Sequence, residues 1–298
     1  MVNRNGRLLR CLPELNRGKR MKLIFLDIDG TLTPAGSNVP PESALRAIRR
    51  TRDLGNLVFL CTGRNYAMLK PLLKYPFDGM VASAGGYVTL KDKVIYDHPM
   101  TDEQLKRSLE VLHKNGVFCT IEAKNATYGD ENLGDFLKNA DADNSEIERW
   151  RKALSESLSI RPMKEYDGAP VYKVVIMCQN ASQLEEPKRM LGDEFDFVIQ
   201  EVRAHGSCQN GELINRAFDK GTGIRKIAEA LKVPLSDTYG FGDSMNDLTM
   251  IQTVGTSVCM ANGAETLKKI SNVVVPSVEE DGLEKGFQML GLLDGSGL

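Results

Sequence analysis

The sequence contains no long hydrophobic run and no excess of basic residues. Its 298 residues carry 38 Lys and Arg against 40 Asp and Glu, for a formal net charge of -2. A chain this close to neutral lacks the broad basic field that attracts nucleic acid or anionic lipid. The longest apolar runs, such as 23–26 and 174–178, fall far short of the roughly 18 residues that a membrane span needs. The sequence therefore predicts no nucleic-acid partner and no membrane partner.

Paired cysteines are also missing. The six cysteines form no C-x-x-C motif, and no histidine lies at zinc-binding spacing from them. Cys61 and Cys178 end apolar runs, where a free thiol behaves as a small buried hydrophobic group. Unpaired cysteines are typical of a reducing compartment, so we predict a cytoplasmic protein. Hydrophobic residues make up 42% of the chain, which is enough to build a substantial core.

The first 20 residues are basic and have no apolar segment like that of a secretory signal. We predict that residues 1–20 form an N-terminal extension without a role in the fold. An organelle-targeting arm is the alternative interpretation. Glu14 and the absence of serine in this segment argue against it.

Strand and helix patterns alternate at both ends of the chain. Residues 22–28 and 57–61 are short apolar runs, typical of parallel strands buried on both faces. A helix is predicted for 41–54, with proline in its first turn and Gly55 after its end. The same alternation returns from Glu212 onwards. We therefore predict an α/β fold with a Rossmann-like open parallel sheet, built from residues 21–86 and 204–298.

The middle of the chain has a different pattern. Residues 87–96 alternate like a hairpin, and a helix over 101–115 begins with a capping box of Thr101 and Gln104. The strands that follow are more alternating, which favours an antiparallel sheet covered by helices on one face. We predict a separate α+β module over residues 87–203, inserted into the open sheet.

Two carboxylates follow the first buried strand. Asp27 and Asp29 lie two residues apart in the motif Asp-Ile-Asp-Gly-Thr, and such a pair is costly unless a cation or a proton compensates it. The carboxyl ends of strands in an open α/β sheet are where ligands bind. An acidic turn is the plainer interpretation. A calcium loop is excluded, because the glycine is misplaced and Asn38 stands at the twelfth position instead of Glu.

A second acidic motif, Gly-Phe-Gly-Asp-Ser-Met-Asn-Asp-Leu, follows a later strand. Asp243, Asn246 and Asp247 stand at i, i+3 and i+4, so they can share one helix face. Ser244 and Asp247 also fit a capping box, which is compatible with a functional role. The dinucleotide-binding fingerprint is not met because its third glycine is missing, and no P-loop motif occurs anywhere in the chain.

Two further strand ends carry groups suited to phosphate. Thr62 and Gly63 offer a hydroxyl and free backbone N–H groups directly after a strand. Lys220 precedes Gly221 at a predicted helix start. Each feature alone is more typical of an ordinary turn or a solvated charge. Their convergence with the two acidic motifs favours one phosphate site.

Together, the four motifs resemble those of the haloacid dehalogenase superfamily of phosphotransferases. Asp-Ile-Asp-Gly-Thr-Leu-Thr is similar to its nucleophile motif, Cys-Thr-Gly-Arg to its threonine motif, Lys220 to its basic motif and Gly-Asp-Ser-Met-Asn-Asp to its acidic motif. The insertion between the second and third motifs resembles the α+β cap of the Cof-type subgroup. One departure is Ala84-Gly85-Gly86, where that subgroup often has Asn-Gly-Ala.

The resemblance implies a role for each motif residue. Asp27 would be the nucleophile and Asp29 the acid and base, while Thr62, Gly63, Lys220 and Asn246 would bind phosphate. Asp27, the Asp29 backbone carbonyl and Asp243 would hold Mg²⁺, and Asp247 would orient Lys220 or a metal-bound water. The implied function is a Mg²⁺-dependent phosphatase of small phosphorylated metabolites, with sugar phosphates foremost. A phosphosugar mutase and a non-catalytic regulatory protein that binds phosphorylated metabolites are the alternatives. The oligomeric state is left open.

Substrate specificity does not follow from these motifs. The residues of the insertion that could contact a substrate are also common packing or surface residues. They are Glu122, Tyr128, Trp150, Tyr172, Lys173 and His205.

Overall fold

The computed structural model describes residues 20–134, 160–200 and 209–294. The first part of the chain contributes five adjacent strands to a large sheet. The strands are β1 (Leu23–Leu26), β2 (Leu57–Cys61), β3 (Gly79–Ala82), β4 (Tyr87–Leu90) and β5 (Lys93–Asp97). The helices are α1 (Glu42–Asp53) and the short α2 (Tyr66–Leu69). The predicted N-terminal extension and the amphipathic segment at 145–158 lie outside the described residues.

The middle of the chain forms a second sheet with helices against one face. Its strands are β6 (Phe118–Ala123), β7 (Thr127–Gly129), β8 (Ile160–Pro162), β9 (Val171–Cys178), β10 (Phe195–Gln200) and β11 (Gln209–Asn215). Its described helices are α3 (Asp102–Lys114), which has the predicted capping box, and α4 (Glu185–Leu191).

The last part of the chain returns to the large sheet. It contributes β12 (Thr238–Gly242), β13 (Thr256–Met260) and β14 (Val273–Val275). The helices are α5 (Lys220–Leu231), α6 (Leu248–Thr253), α7 (Glu265–Ile270) and α8 (Gly282–Met289).

Among the described residues, the larger sheet has the order β14-β13-β12-β1-β2-β3-β4-β5. The strands from β14 to β3 are parallel, and β4 and β5 are added as an antiparallel hairpin. Apolar side chains of β1 alternate between two cores. Ile24 and Leu26 pack with α1 and α8, while Leu23 and Phe25 pack with α5 and α6. The predicted open α/β sheet is confirmed.

The smaller sheet has the order β10-β11-β9-β6-β7-β8. One face packs against α3 and α4 through apolar residues such as Ile121, Ile176 and Leu213. An antiparallel sheet covered by helices on one face commonly leaves its other face in solvent. Here the other face is covered as well, because every residue of β9 is buried. That face points toward the larger sheet, and backbone contacts such as Ala67 N–H to Lys124 O at 3.0 Å join the two parts.

Strand pairing corrects both predicted limits of the inserted module. The hairpin of β4 and β5 was assigned to the insertion from residue 87, yet β4 pairs with β3 in the larger sheet. The second limit, at residue 203, is also too early, since β11 pairs with β9 and β10 in the smaller sheet. Alternation along a strand is the same in either sheet, so the sequence pattern did not distinguish them. Within the described ranges, no helix combines the length and hydrophobicity that crossing a membrane requires.

Candidate active site

Asp27 lies at the carboxyl end of β1 and is 4% exposed. Its backbone N–H donates to Phe241 O at 3.0 Å, which continues the pairing of β1 with β12 and fixes the acid beside the second acidic motif. Burial raises the pKa of the Asp27 carboxyl well above its ordinary value, and the charge of Asp247 raises it further. A neighbouring cation opposes this rise and favours the ionised form of Asp27.

Lys220 supplies one such cation. Its Nζ donates to Asp27 Oδ1 at 2.7 Å, to Asp247 Oδ1 at 2.5 Å and to Asn246 Oδ1 at 3.3 Å. Burial alone would lower the pKa of Lys220, but the carboxylates of Asp247 and Asp27 outweigh burial and raise it. The ammonium group stays charged and ties the end of β1 to the loop after β12.

Both carboxylate oxygens of Asp247 accept hydrogen bonds from other groups of the site. One oxygen accepts from Lys220, and the other accepts the backbone N–H groups of Asp243 and Ser244 at 3.0 and 3.2 Å. The predicted capping box of Ser244 and Asp247 is present. These contacts occupy both oxygens of Asp247, in keeping with a role in orienting Lys220.

Asp243 approaches the backbone of the first motif very closely. A Cβ atom on Gly30 would lie 2.5 Å from Asp243 Oδ2, and Gly30 has φ +84°. Thr31 Oγ1 donates to Asp243 Oδ1 at 3.1 Å. Burial, followed by the charge of Asp247, raises the pKa of Asp243 from 3.8 to about 6. The absence of a side chain at residue 30 is what allows Asp243 to reach the Asp27 loop.

Three carboxylates of these motifs can share a cation. Ligand oxygens of Asp27, Asp243 and Asp247 lie within 4.8 Å of one another. Oxygen-only donors suit a hard divalent cation such as Mg²⁺, and the raised pKa values show that positive charge is in short supply here. The residues present therefore fit a metal. Since the oxygens of Asp247 already accept from nitrogen donors, Asp27 and Asp243 are the better side-chain ligands.

Asp29 has a different neighbour from Asp27. Arg64 donates to both of its carboxylate oxygens, with the shorter contact at 2.6 Å. Arg64 belongs to the threonine motif, but we assigned it no role from the sequence. A signal was available, because an arginine two residues after Thr62 lies at the same sheet edge as Asp29.

The predicted phosphate-binding residues converge on one cavity. Thr62 and Gly63 follow β2 and line this cavity of about 430 Å³ together with Lys220 and Asn246. Asp27, Asp29 and Asp243 also line it. The 3.1 Å bond from Arg64 N–H to Thr62 Oγ1 and the bond from Thr62 N–H to Val81 O hold the loop. A cavity of this size fits a small phosphate ester.

The six residues proposed for specificity divide into three groups. Glu122 and Lys173 line the cavity. Tyr172 instead packs in the main core and donates to Asp97 Oδ1 at 2.6 Å, while Tyr128 packs against the Tyr166 ring. Trp150 and His205 lie outside the described residues. Cavity residues that we missed include Asn210 and Glu212 of β11, because β11 was assigned to the wrong sheet.

Comparisons with known proteins agree with the fold and the motifs. A family model described as haloacid dehalogenase-like hydrolase matches residues 24–287. The candidate phosphatase YkrA of Bacillus subtilis is 30% identical over 273 residues, covering 91% of this chain and 98% of YkrA. YwtE of the same organism, a 5-amino-6-(5-phospho-D-ribitylamino)uracil phosphatase, is 26% identical over 88% of this chain and 96% of its own length.

A solved structure shows the same fold at lower sequence identity. The haloalkanoate-superfamily phosphatase BT1666 from Bacteroides thetaiotaomicron matches with a TM-score of 0.74 at 20% identity. The match covers 93% of this chain and 97% of BT1666. At that level of identity the likeness concerns the fold, in which both sheets take part.

Proposed function

Because the chain belongs to the haloacid dehalogenase-like hydrolases as a Cof-type phosphatase, we propose that it is a Mg²⁺-dependent enzyme that hydrolyses small phosphorylated metabolites through an aspartyl-phosphate. The observation that carries the proposal is the contact of Lys220 with both Asp27 and Asp247 inside the cavity. A buried carboxylate held beside a fixed ammonium, at a cavity edge, is suited to attack an anionic phosphate.

In the first step, a carboxylate oxygen of Asp27 forms a bond to phosphorus and the ester P–O bond breaks. Asp29, protonated on an oxygen that is released from Arg64 when substrate binds, gives its proton to the departing alkoxide. In the second step, Asp29 takes a proton from water, whose oxygen attacks the same phosphorus and releases inorganic phosphate. Asp27 is thereby restored as a carboxylate, so atoms and charge balance over the cycle.

The remaining residues of the site bind and neutralise the phosphate. Lys220, Thr62, Gly63 and Asn246 would hold the oxygens that do not react. Asp27, the Asp29 backbone carbonyl and Asp243 would hold Mg²⁺. When bound, Mg²⁺ supplies positive charge that reduces repulsion between the Asp27 carboxylate and the phosphate.

Sugar phosphates and related polyol phosphates are the proposed substrates. The named substrate of YwtE contains a phosphorylated ribityl chain, which supports this class. The size of the cavity, about 430 Å³, is also compatible with it. A cytoplasmic location stays a prediction, in keeping with the buried free thiols of Cys61, Cys119, Cys178 and Cys259.

The test is phosphate release from a panel of phosphorylated sugars and polyols, with Mg²⁺ and after chelation. We expect release with Mg²⁺, loss of release with EDTA, and no release by Asp27→Asn. Release that is unchanged by EDTA would remove the metal from the proposal. Conversion of a sugar phosphate into its positional isomer, without free phosphate, would indicate the mutase instead.

A further inference from the structure

The cavity is covered by one face of the smaller sheet, which presents both polar and apolar side chains to it. Strand register places Lys173 opposite both Glu122 and Ile214, and Val175 opposite Glu212. These side chains share a face, because residues two apart along a strand point the same way. Asn210 stands two residues before Glu212 and therefore belongs to the same face. We call Glu122, Lys173, Asn210 and Glu212 the polar face.

Ion pairs account for three of its four members. Lys173 Nζ lies 2.6 Å from Glu212 Oε1 and 3.4 Å from Glu122 Oε2. Burial alone would lower the pKa of Lys173, but Glu122 and Glu212 more than offset burial and raise it. Lys173 therefore stays charged, and two carboxylates share one ammonium. The trio carries a net negative charge.

Lys173 also positions the polar face above the phosphate site. Its Nζ donates to Gly63 O at 3.3 Å, and Gly63 belongs to the proposed phosphate-binding loop. All four residues of the polar face line the same cavity as Asp27 and Lys220. The part of a substrate that points away from the phosphate would therefore meet this face.

Asn210 carries a buried polar atom that has no hydrogen-bond partner among the described residues. It is 3% exposed, and its Oδ1 atom has no hydrogen-bond partner within the described part of the chain. A buried amide oxygen without a donor costs roughly 1–3 kcal/mol. A ligand that brings an O–H or N–H group to Asn210 would recover that cost.

We propose that Asn210 accepts a hydrogen bond from the leaving group of the substrate and that the polar face selects esters bearing hydroxyl or amino donors over esters bearing a carboxylate. This inference rests on the proposed phosphatase function. Asn210 acts by binding the substrate, and Glu122 and Glu212 act by repelling an additional anion. Selection follows because an ester without a donor leaves the Asn210 oxygen without a hydrogen bond in the occupied cavity.

Three phosphate esters with matched carbon chains test the inference on the wild-type protein. They are propyl phosphate, glycerol 3-phosphate and 3-phosphoglycerate, each compared by kcat/KM with Mg²⁺, with p-nitrophenyl phosphate as a general measure of activity. We expect glycerol 3-phosphate to exceed each of the others by about tenfold, the ratio that about 1.4 kcal/mol of binding gives. Equal kcat/KM values for all three esters would overturn the inference while leaving the proposed function in place. Absence of phosphate release from every ester would remove the function and the inference together.

Two variants test Asn210 itself. Asn210→Leu removes the acceptor and should abolish most of the preference for glycerol 3-phosphate over propyl phosphate, mainly through KM. Asn210→Asp keeps an acceptor at the same place and should retain that preference. Gln179→Leu, which removes an exposed amide just after β9, is the control. It should leave the preference for glycerol 3-phosphate over propyl phosphate unchanged. A preference that survives in Asn210→Leu, or that Asn210→Asp loses equally, would contradict the assignment.

Discussion

Arg64 holds the Asp29 carboxylate through two parallel hydrogen bonds, from Nε to Oδ2 at 2.8 Å and from Nη2 to Oδ1 at 2.6 Å. The same guanidinium donates from Nη1 to Asn38 Oδ1 at 2.7 Å. Its planar fork therefore fixes the direction of the side chain that is proposed to move protons. A lysine would keep the charge but would not supply this geometry.

We predict that Arg64→Lys lowers kcat for an alkyl phosphate by about tenfold, since a poorly oriented acid loses part of the roughly 10²–10⁴-fold effect of acid–base catalysis. Hydrolysis of p-nitrophenyl phosphate should change far less in the first step, because its leaving group needs no proton. Rapid-quench kinetics measure the first-step rate for each of the two esters. Arg49→Lys, at an exposed pair with Glu42, is the control. An equal loss with both esters would assign Arg64 to phosphate binding instead.

Lys220 balances two buried carboxylates, so its removal should weaken the fold. We expect Lys220→Met to lower the free energy of unfolding by about 3–5 kcal/mol at pH 8 without metal, because Asp27 and Asp247 are left without their ammonium partner. Urea unfolding measures the change. Lys268→Met, which breaks a more exposed pair with Glu265, should lower the free energy of unfolding far less. Similar decreases in the free energy of unfolding would show that the buried Lys220 stabilises the fold no more than Lys268 does.

Asp243 should make metal binding depend on pH. Its pKa is raised from 3.8 to about 6, so protons compete with a divalent cation as the pH falls through about 6. We expect calorimetric Mg²⁺ affinity to fall between pH 7 and pH 5. An affinity that is constant over this range would remove Asp243 from the proposed ligands.

The same shift predicts how Asp243→Asn affects stability. A carboxyl whose folded pKa is raised destabilises the fold when it ionises, and this effect vanishes below its unfolded pKa near 4. Asp243→Asn should therefore raise the melting temperature of the metal-free protein at pH 8, and less so at pH 5. A uniform decrease at both pH values would mean that the bond from Thr31 outweighs the cost of the buried charge.

His113 offers a test of the smaller sheet that is independent of catalysis. His113 Nε2 donates to Asp130 Oδ2 at 3.0 Å, and this hydrogen bond raises the pKa of His113 above 6.5. The pair therefore contributes stability below about pH 6.5, which is lost as the pH rises through the folded pKa. An NMR titration should give a pKa for His113 above 6.5 in the wild-type protein. In the Asp130→Asn variant, the pKa of His113 should lie closer to 6.5. An equal pKa of His113 in the two proteins would show that His113 does not contact Asp130.

Much of the site was predictable because each motif follows a strand of the parallel sheet. Asp27 and Asp243 directly follow β1 and β12, which are neighbours, so their convergence follows from the topology. Lys220 was predicted with them through the order of the motifs. Its contact with Asp27 joins residues 193 positions apart, and only the folded chain shows it.

Other features depend on tertiary contacts that leave no periodic signal. The β4 hairpin was placed in the wrong sheet, since its alternation is the same whichever strand it pairs with. Its true neighbour is β3, where a Cβ on Gly79 would lie 2.2 Å from Thr89 O. The burial of Asn210 likewise requires one sheet to lie over the other, so an asparagine in a strand gave no indication of its role.

The covalent step is the central claim, and intact-mass spectrometry after rapid quench tests it most directly. Asp29→Asn keeps the nucleophile but lacks the base that activates water, so an ester that needs no acid should leave the protein phosphorylated. Treatment with p-nitrophenyl phosphate and Mg²⁺ is therefore predicted to add one phosphoryl group to Asp29→Asn, located on Asp27 by peptide mapping, and none to Asp27→Asn. An adduct on any other residue, or full turnover by Asp27→Asn, would contradict the account.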